Sequence, residues 1–240
     1  MQDCAPRISE EDCLPRRRFG LGRLVAAMAL LMLVILLLHG PLLRAVYGVI
    51  VFDQSTRGAT HGILLFGDAG SLESVAHSIR EGELRKAVIV ELKPSRSVRI
   101  GAAPRLAAIA RQELKQKGVP ESAIDLITTD ATSFPAAIRA VNERLEAGTV
   151  AAVPCPRHAS RHVRTVIDAV LDEPNARRFY VQTVPVSGFD ERRWWISRTG
   201  IKRVVSSYLR LLHLKLVGLR EVDATEWDPD AYEIALRGDG

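Results

Sequence analysis

The sequence predicts an α/β protein with a doubly wound, mostly parallel five-stranded sheet, preceded by one N-terminal transmembrane helix. Three observations predict it. From Leu24 to Leu38 no side chain is charged or polar. Beyond His61, short continuous apolar runs alternate with longer amphipathic ones. Gly, Pro and small polar residues punctuate the joins between them. Continuous apolar strands are buried on both faces, which is the signature of a parallel sheet covered by helices.

The apolar run alone is short for a bilayer, which needs about 20 residues. Leu21 and Gly22 extend it on one side and His39 to Leu43 on the other, and Arg23 can snorkel to the interface. A span over residues 20–43 follows. A cleaved signal peptide would carry the same arginine triplet and apolar core, but His39-Gly40-Pro41-Leu42 lacks a small-x-small cleavage site. A buried soluble helix is the third alternative. Arg16, Arg17 and Arg18 precede the span, so the positive-inside rule puts residues 1–19 in the cytoplasm and the C-terminal domain outside it, in a single-pass inner-membrane protein.

Residues 44–60 read as a connector, with Val46 to Phe52 apolar enough to lie near the membrane or form a short strand. The domain proper is expected over 61–217. Its strands fall at 62–66, 87–90, 124–127, 150–153 and 179–184. Its helices fall at 72–79, 104–117, 134–147, 160–171 and 201–217. In the helix at 104–117, Leu106, Ile109, Ala110 and Leu114 form one predicted face, and Gly118 stops it. Right-handed crossovers make the whole a Rossmann-like sandwich. Residues 218–240 form an acidic, turn-rich extension.

Composition excludes several functions. The net charge of +5 is spread over 33 basic and 28 acidic residues, with no basic face or tail, so nucleic acid is not the expected partner. Cys4, Cys13 and Cys155 are an odd set, and the span separates the first two from the third, so they read as free thiols. The six histidines are scattered and no HExxH or CxxC occurs, so no metal is expected. No residue pattern selects a cofactor.

Ligands of doubly wound sheets bind at the carboxyl ends of strands. After the first strand, Gly67, Asp68 and Gly70 offer a tight turn and backbone amides at a helix start. After the second come Glu91 and Lys93, and after the third Asp130 and Thr132. After the fourth, Pro154 to Arg164 holds Arg157, Arg161, Arg164, His158 and His162. Cations are disfavoured at a helix N-terminus, so this cluster points to an anionic partner such as a phosphate. The candidate ligand-binding residues are Gly67, Asp68, Gly70, Thr132, His158 and Arg161. His158 is also a weak candidate for a catalytic group, and the residues leave open whether the protein is an enzyme.

Four stretches in order resemble the YdcF-like family of bacterial envelope proteins, which includes the SanA and ElyC types. They are ILLFGDAG, ELKQKGVPESAIDLI, VPCPRHASR with its His158-x-x-Arg161, and WWISRTGIKRVVSSYLRLLHLKL. The resemblance spans about His61 to Leu216. It implies a membrane-anchored protein that binds an anionic, phosphorylated or lipid-linked ligand in cell-wall or surface-polysaccharide assembly. The chain departs from that pattern at Glu91-Leu92-Lys93-Pro94, at Leu106-Ala107-Ala108 and after Thr132, where the family carries Ser-Gly-Gly, glutamates and a Glu-Asn pair. Loss of these groups motivates two alternatives: a non-catalytic interaction module, and a small hydrolase or transferase using His158.

Overall fold

The computed structural model describes residues 21–54, 58–65, 68–94, 96–131 and 133–219. The chain divides into two compact units at Leu42 and Leu43. In the first, helix α1 (Leu21–Ile50) begins and carries the apolar run. The helix is long and apolar enough to cross a membrane over Leu24–Ile50, a test that a signal sequence near an N-terminus also passes. The residues before Leu21 and after Leu219 lie outside the described chain, and with them Cys4, Cys13, the predicted cytoplasmic segment and nearly all of the extension.

The second unit is the predicted α/β domain. Its elements are β1 (His61–Leu64), α2 (Ala69–Arg80), β2 (Lys86–Glu91), the short α3 (Arg96–Arg99), α4 (Leu106–Gln116) and β3 (Ile124–Thr128). There follow α5 (Phe134–Arg144), β4 (Ala151–Pro156), α6 (Ser160–Val170), the short α7 (Glu173–Ala176), β5 (Phe179–Val184) and α8 (Arg198–Val217). All strand pairs are parallel and the order is β3-β2-β1-β4-β5. The chain winds outward from β1 to β3, then crosses back to β4 beside β1. Strand residues alternate between two cores. Leu64, Ala87, Ile89 and Ala152 meet Leu72, Val75, Ala110 and Leu114 of α2 and α4. Ile63, Val88, Val90 and Val153 meet Ile138, Val141, Val163 and Ile167 of α5 and α6. This two-sided burial is why the strands read as unbroken apolar runs.

Two expectations are corrected. The buried face of α4 is Ala107, Ala110 and Leu114, whereas Leu106 is 73% and Ile109 37% exposed. Its small alanines let the helix lie close to β2, and this fixes a different phase from the one the larger residues suggest. Residues 46–50 are neither strand nor loose connector but the end of α1. Tyr47 and Ile50 pack there with Trp194, Val204 and Leu211 in a third cluster. The Trp194 indole Nε1 donates to the Leu43 carbonyl at 3.0 Å, and the Tyr208 hydroxyl donates to that of Val46. Finally, residues 51–54 run beside β5. Val181 N donates to Gln54 Oε1 and Thr183 N to Asp53 Oδ1, both at 3.2 Å, so the connector covers the sheet edge.

Candidate functional site at the ends of β1 and β4

The strand order reverses between β1 and β4, and a doubly wound sheet opens a crevice where its order reverses. Two predicted residues lie on the β1 side. Asp68 caps α2, accepting from Ser71 N at 2.9 Å and from Ser71 Oγ at 2.7 Å. The fully buried Ser71 also reaches the Pro154 carbonyl on β4 at 3.3 Å, so the two strand ends are tied together. Gly70 permits a close approach: a Cβ there would sit 2.8 Å from the Pro185 carbonyl oxygen. Gly67 and Thr132 lie outside the described residues.

On the other side, β4 ends at Pro156, a 3-10 turn covers Arg157–Ala159, and α6 starts at Ser160. Ser160 is wholly buried; its Oγ donates to the Arg157 carbonyl at 2.7 Å and accepts from Phe52 N at 2.8 Å. This one hydroxyl fastens the connector to the turn that carries His158. The half-buried His158 ring stands edge-on to Phe189, 5.7 Å between centroids, and its Nδ1 is buried without a hydrogen-bond partner. Burial first, then Arg203 and Arg210, hold its pKa below the usual histidine value. Arg161 is exposed; it donates to the Val51 carbonyl at 3.1 Å and lies over the Phe52 ring at 5.9 Å.

The other basic residues of this exit have structural partners. Arg157 pairs with Glu191 at 3.0 Å. Arg164 bonds the Phe179 carbonyl at 2.8 Å and that of Ala176 at 3.2 Å, and pairs with Asp168. His162 is half-buried in an apolar groove of about 360 Å³ between α5, α6 and α8. The Cys155 thiol is wholly buried, and burial, with the nearby Asp68 and Asp53 charges, pushes its pKa up to about 12. A thiol so far from ionisation is no nucleophile at neutral pH.

A second feature escaped sequence reasoning. A largely apolar cavity of about 280 Å³ opens at the ends of β1 and β2, lined by Leu65, Leu72, Leu92, Val98 and Leu106 among others. Glu91 and Arg105, 3.8 Å apart, stand on its wall with Lys93. Leu106 looks like core in sequence because it is apolar at helical spacing; its signal as a cavity residue appears only once the phase of α4 is known. Tyr47, Phe189 and Arg203 were also missed, because they are remote in sequence from the turn they surround.

The fold and these strand ends define a class: a parallel-sheet α/β domain following a helix apolar enough to span a membrane. No protein-family model matches the chain, and neither the curated proteins nor the solved structures contain a match.

Proposed function

We propose that this is a single-pass membrane-anchored protein whose C-terminal domain binds an anionic, phosphorylated ligand at the ends of β1 and β4. The observation that carries the proposal is the basic turn at the point where the strand order reverses. His158 and Arg161 stand there beside the start of α6, opposite the capped start of α2, while the neighbouring Arg157 is taken up by Glu191. Helix N-termini and guanidinium groups both favour anions. The resemblance to the YdcF-like family supports a role in cell-envelope or surface-polysaccharide biogenesis. The apolar cavity at the ends of β1 and β2, on the other side of β1, suits the hydrocarbon part of a lipid-linked ligand. The arginine triplet before the span supports an inner-membrane location with the domain outside the cytoplasm.

Binding of pyrophosphate and of a polyprenyl phosphate to the full chain in detergent is the test. Both ligands should bind, and the His158→Ala/Arg161→Ala double variant should bind neither. A double variant that binds as the wild type does would remove the site. For the orientation, a reporter fused after Gly240 should be active outside the cytoplasm; cytoplasmic activity would reverse it.

One observation favours a second reading, an interaction module. Ile201, Val205, Leu209, Leu212 and Leu216 form an exposed apolar stripe along α8 at helical spacing. Partners retained by the double variant but lost on Leu209→Glu would favour this reading over ligand binding.

A further inference from the structure

Helix α8 has two apolar faces, and the domain uses one of them. Gly200, Val204, Ser207 and Leu211 are buried. Ile201, Val205, Leu209, Leu212 and Leu216 are exposed, Leu209 at 60% and Leu216 at 76%. Their spacing of i, i+4, i+8, i+11 and i+15 keeps them on one side of the helix. A stripe of this kind marks a surface that something covers. The charges beside it have one sign. From Arg198 to Val217 there is no Asp or Glu, and Arg198, Lys202, Arg210 and Lys215 are exposed.

The place of the stripe decides what covers it. Tyr208 is the helical neighbour of Val205 and Leu212 on the exposed side and of Val204 and Leu211 on the buried side. Its hydroxyl donates to the Val46 carbonyl. Trp194, packed under Gly200 at the start of α8, donates to the Leu43 carbonyl. Both carbonyls belong to Leu24–Ile50, the stretch apolar enough to cross a membrane. The stripe therefore begins one helical neighbour away from the end of that stretch. Helix α8 has 20 residues and is about 30 Å long, whereas the α1 residues clustered with it, from Leu43 to Ile50, rise only about 12 Å. Most of the stripe reaches past α1.

An apolar stripe flanked only by Lys and Arg, beside the end of a span, has the makeup of a helix lying in a lipid interface. Acyl chains match its leucines and anionic headgroups match its bases. We infer that α8 docks on the surface of the membrane that holds α1, with Val205, Leu209, Leu212 and Leu216 among the upper acyl segments. The inference rests on the membrane anchoring proposed above, and it assigns the stripe to lipid and not to a protein partner. It also bears on the proposed anion site. Phe189 lies between the His158 ring, at 5.7 Å, and the Arg203 guanidinium of α8, at 5.4 Å. A docked α8 therefore holds the β4 exit turn close to the headgroups, where a lipid-linked phosphate would be met.

The test places a nitroxide on single cysteines in the full chain, in a Cys4→Ser/Cys13→Ser background, reconstituted in vesicles of phosphatidylcholine and phosphatidylglycerol. Cys155 is buried and stays unlabelled. Oxygen, which concentrates in lipid, and a water-soluble nickel chelate compete to relax each label. At Leu209→Cys and Leu216→Cys oxygen should win, as it should at Leu31→Cys within the span. At Gln112→Cys, exposed on α4, nickel should win. If nickel wins at Leu209 and Leu216 while oxygen wins at Leu31, the docking is overturned and the anchor stands. If nickel also wins at Leu31, the anchor and the docking fail together. Labels at Leu209 and Leu216 shielded from both agents would mean that protein, a second copy or residues 220–240, covers the stripe, and would overturn the assignment to lipid.

Discussion

Replacing Ser160 with alanine removes one buried hydroxyl that joins the connector to the β4 exit. The Arg157 carbonyl keeps a partner, since the Ser160 backbone N–H also donates to it. The Phe52 N–H does not: its bond to Ser160 Oγ, 2.8 Å long, is lost in a partly buried place. An unpaired buried donor costs about 1–3 kcal/mol. For a domain of this size each kcal/mol lowers the melting temperature by about 2–4 °C. Ser160→Ala should therefore melt roughly 2–12 °C below the wild type. Hydrogen exchange should show the Phe52 amide becoming faster, while the amides of β2 and β3 keep their relative protection. A melting point within 1 °C of the wild type (roughly 0.3–0.5 kcal/mol), together with an equally protected Phe52 amide, would refute the clamp.

Three further outcomes follow from the same geometry. Gly70→Ala places a Cβ 2.8 Å from the Pro185 carbonyl, a backbone atom that cannot swing aside; it should destabilise by about 1–3 kcal/mol in thermal melts, and an unchanged melt would show that the two segments part freely. Cys155 should resist iodoacetamide at pH 8 in the folded chain and react once it is unfolded, because burial holds its thiol pKa at about 12; rapid labelling of the native protein would contradict this. His158 and His162 have folded pKa values below the ordinary one, mainly through burial. The unfolded chain therefore takes up protons first, and the stability these rings contribute is intact above about pH 6.5 and lost as the pH falls through their folded values. Melts from pH 8 to pH 5 should show that decline, and it should be smaller in the His158→Gln/His162→Gln variant.

Much of the sheet was legible because its chemistry is local. Apolar runs such as Ala151–Val153 are buried on both faces, and the helices facing them repeat at helical spacing. The β4 exit was legible for the opposite reason: Arg157, His158 and Arg161 stand where local helix electrostatics disfavour cations. What escaped depends on contacts between distant parts of the chain. Leu43 and Val46 belong to the domain because Trp194 and Tyr208, more than 140 positions further on, bond their carbonyls. Leu106 and Ala107 compete for the core, and small size wins because α4 must approach β2 closely. Asp68 reads equally well as a ligand contact or as a cap, and in the structure Ser71 engages both carboxylate oxygens.

The central claim is that the turn after β4 binds an anion. Amide hydrogen exchange of the full chain in detergent, with and without pyrophosphate, measures this directly. Exchange should slow at residues 157–163, with the far ends of the strands unchanged. Unchanged exchange at the β4 exit, or slowing confined to other parts of the domain, would contradict the account.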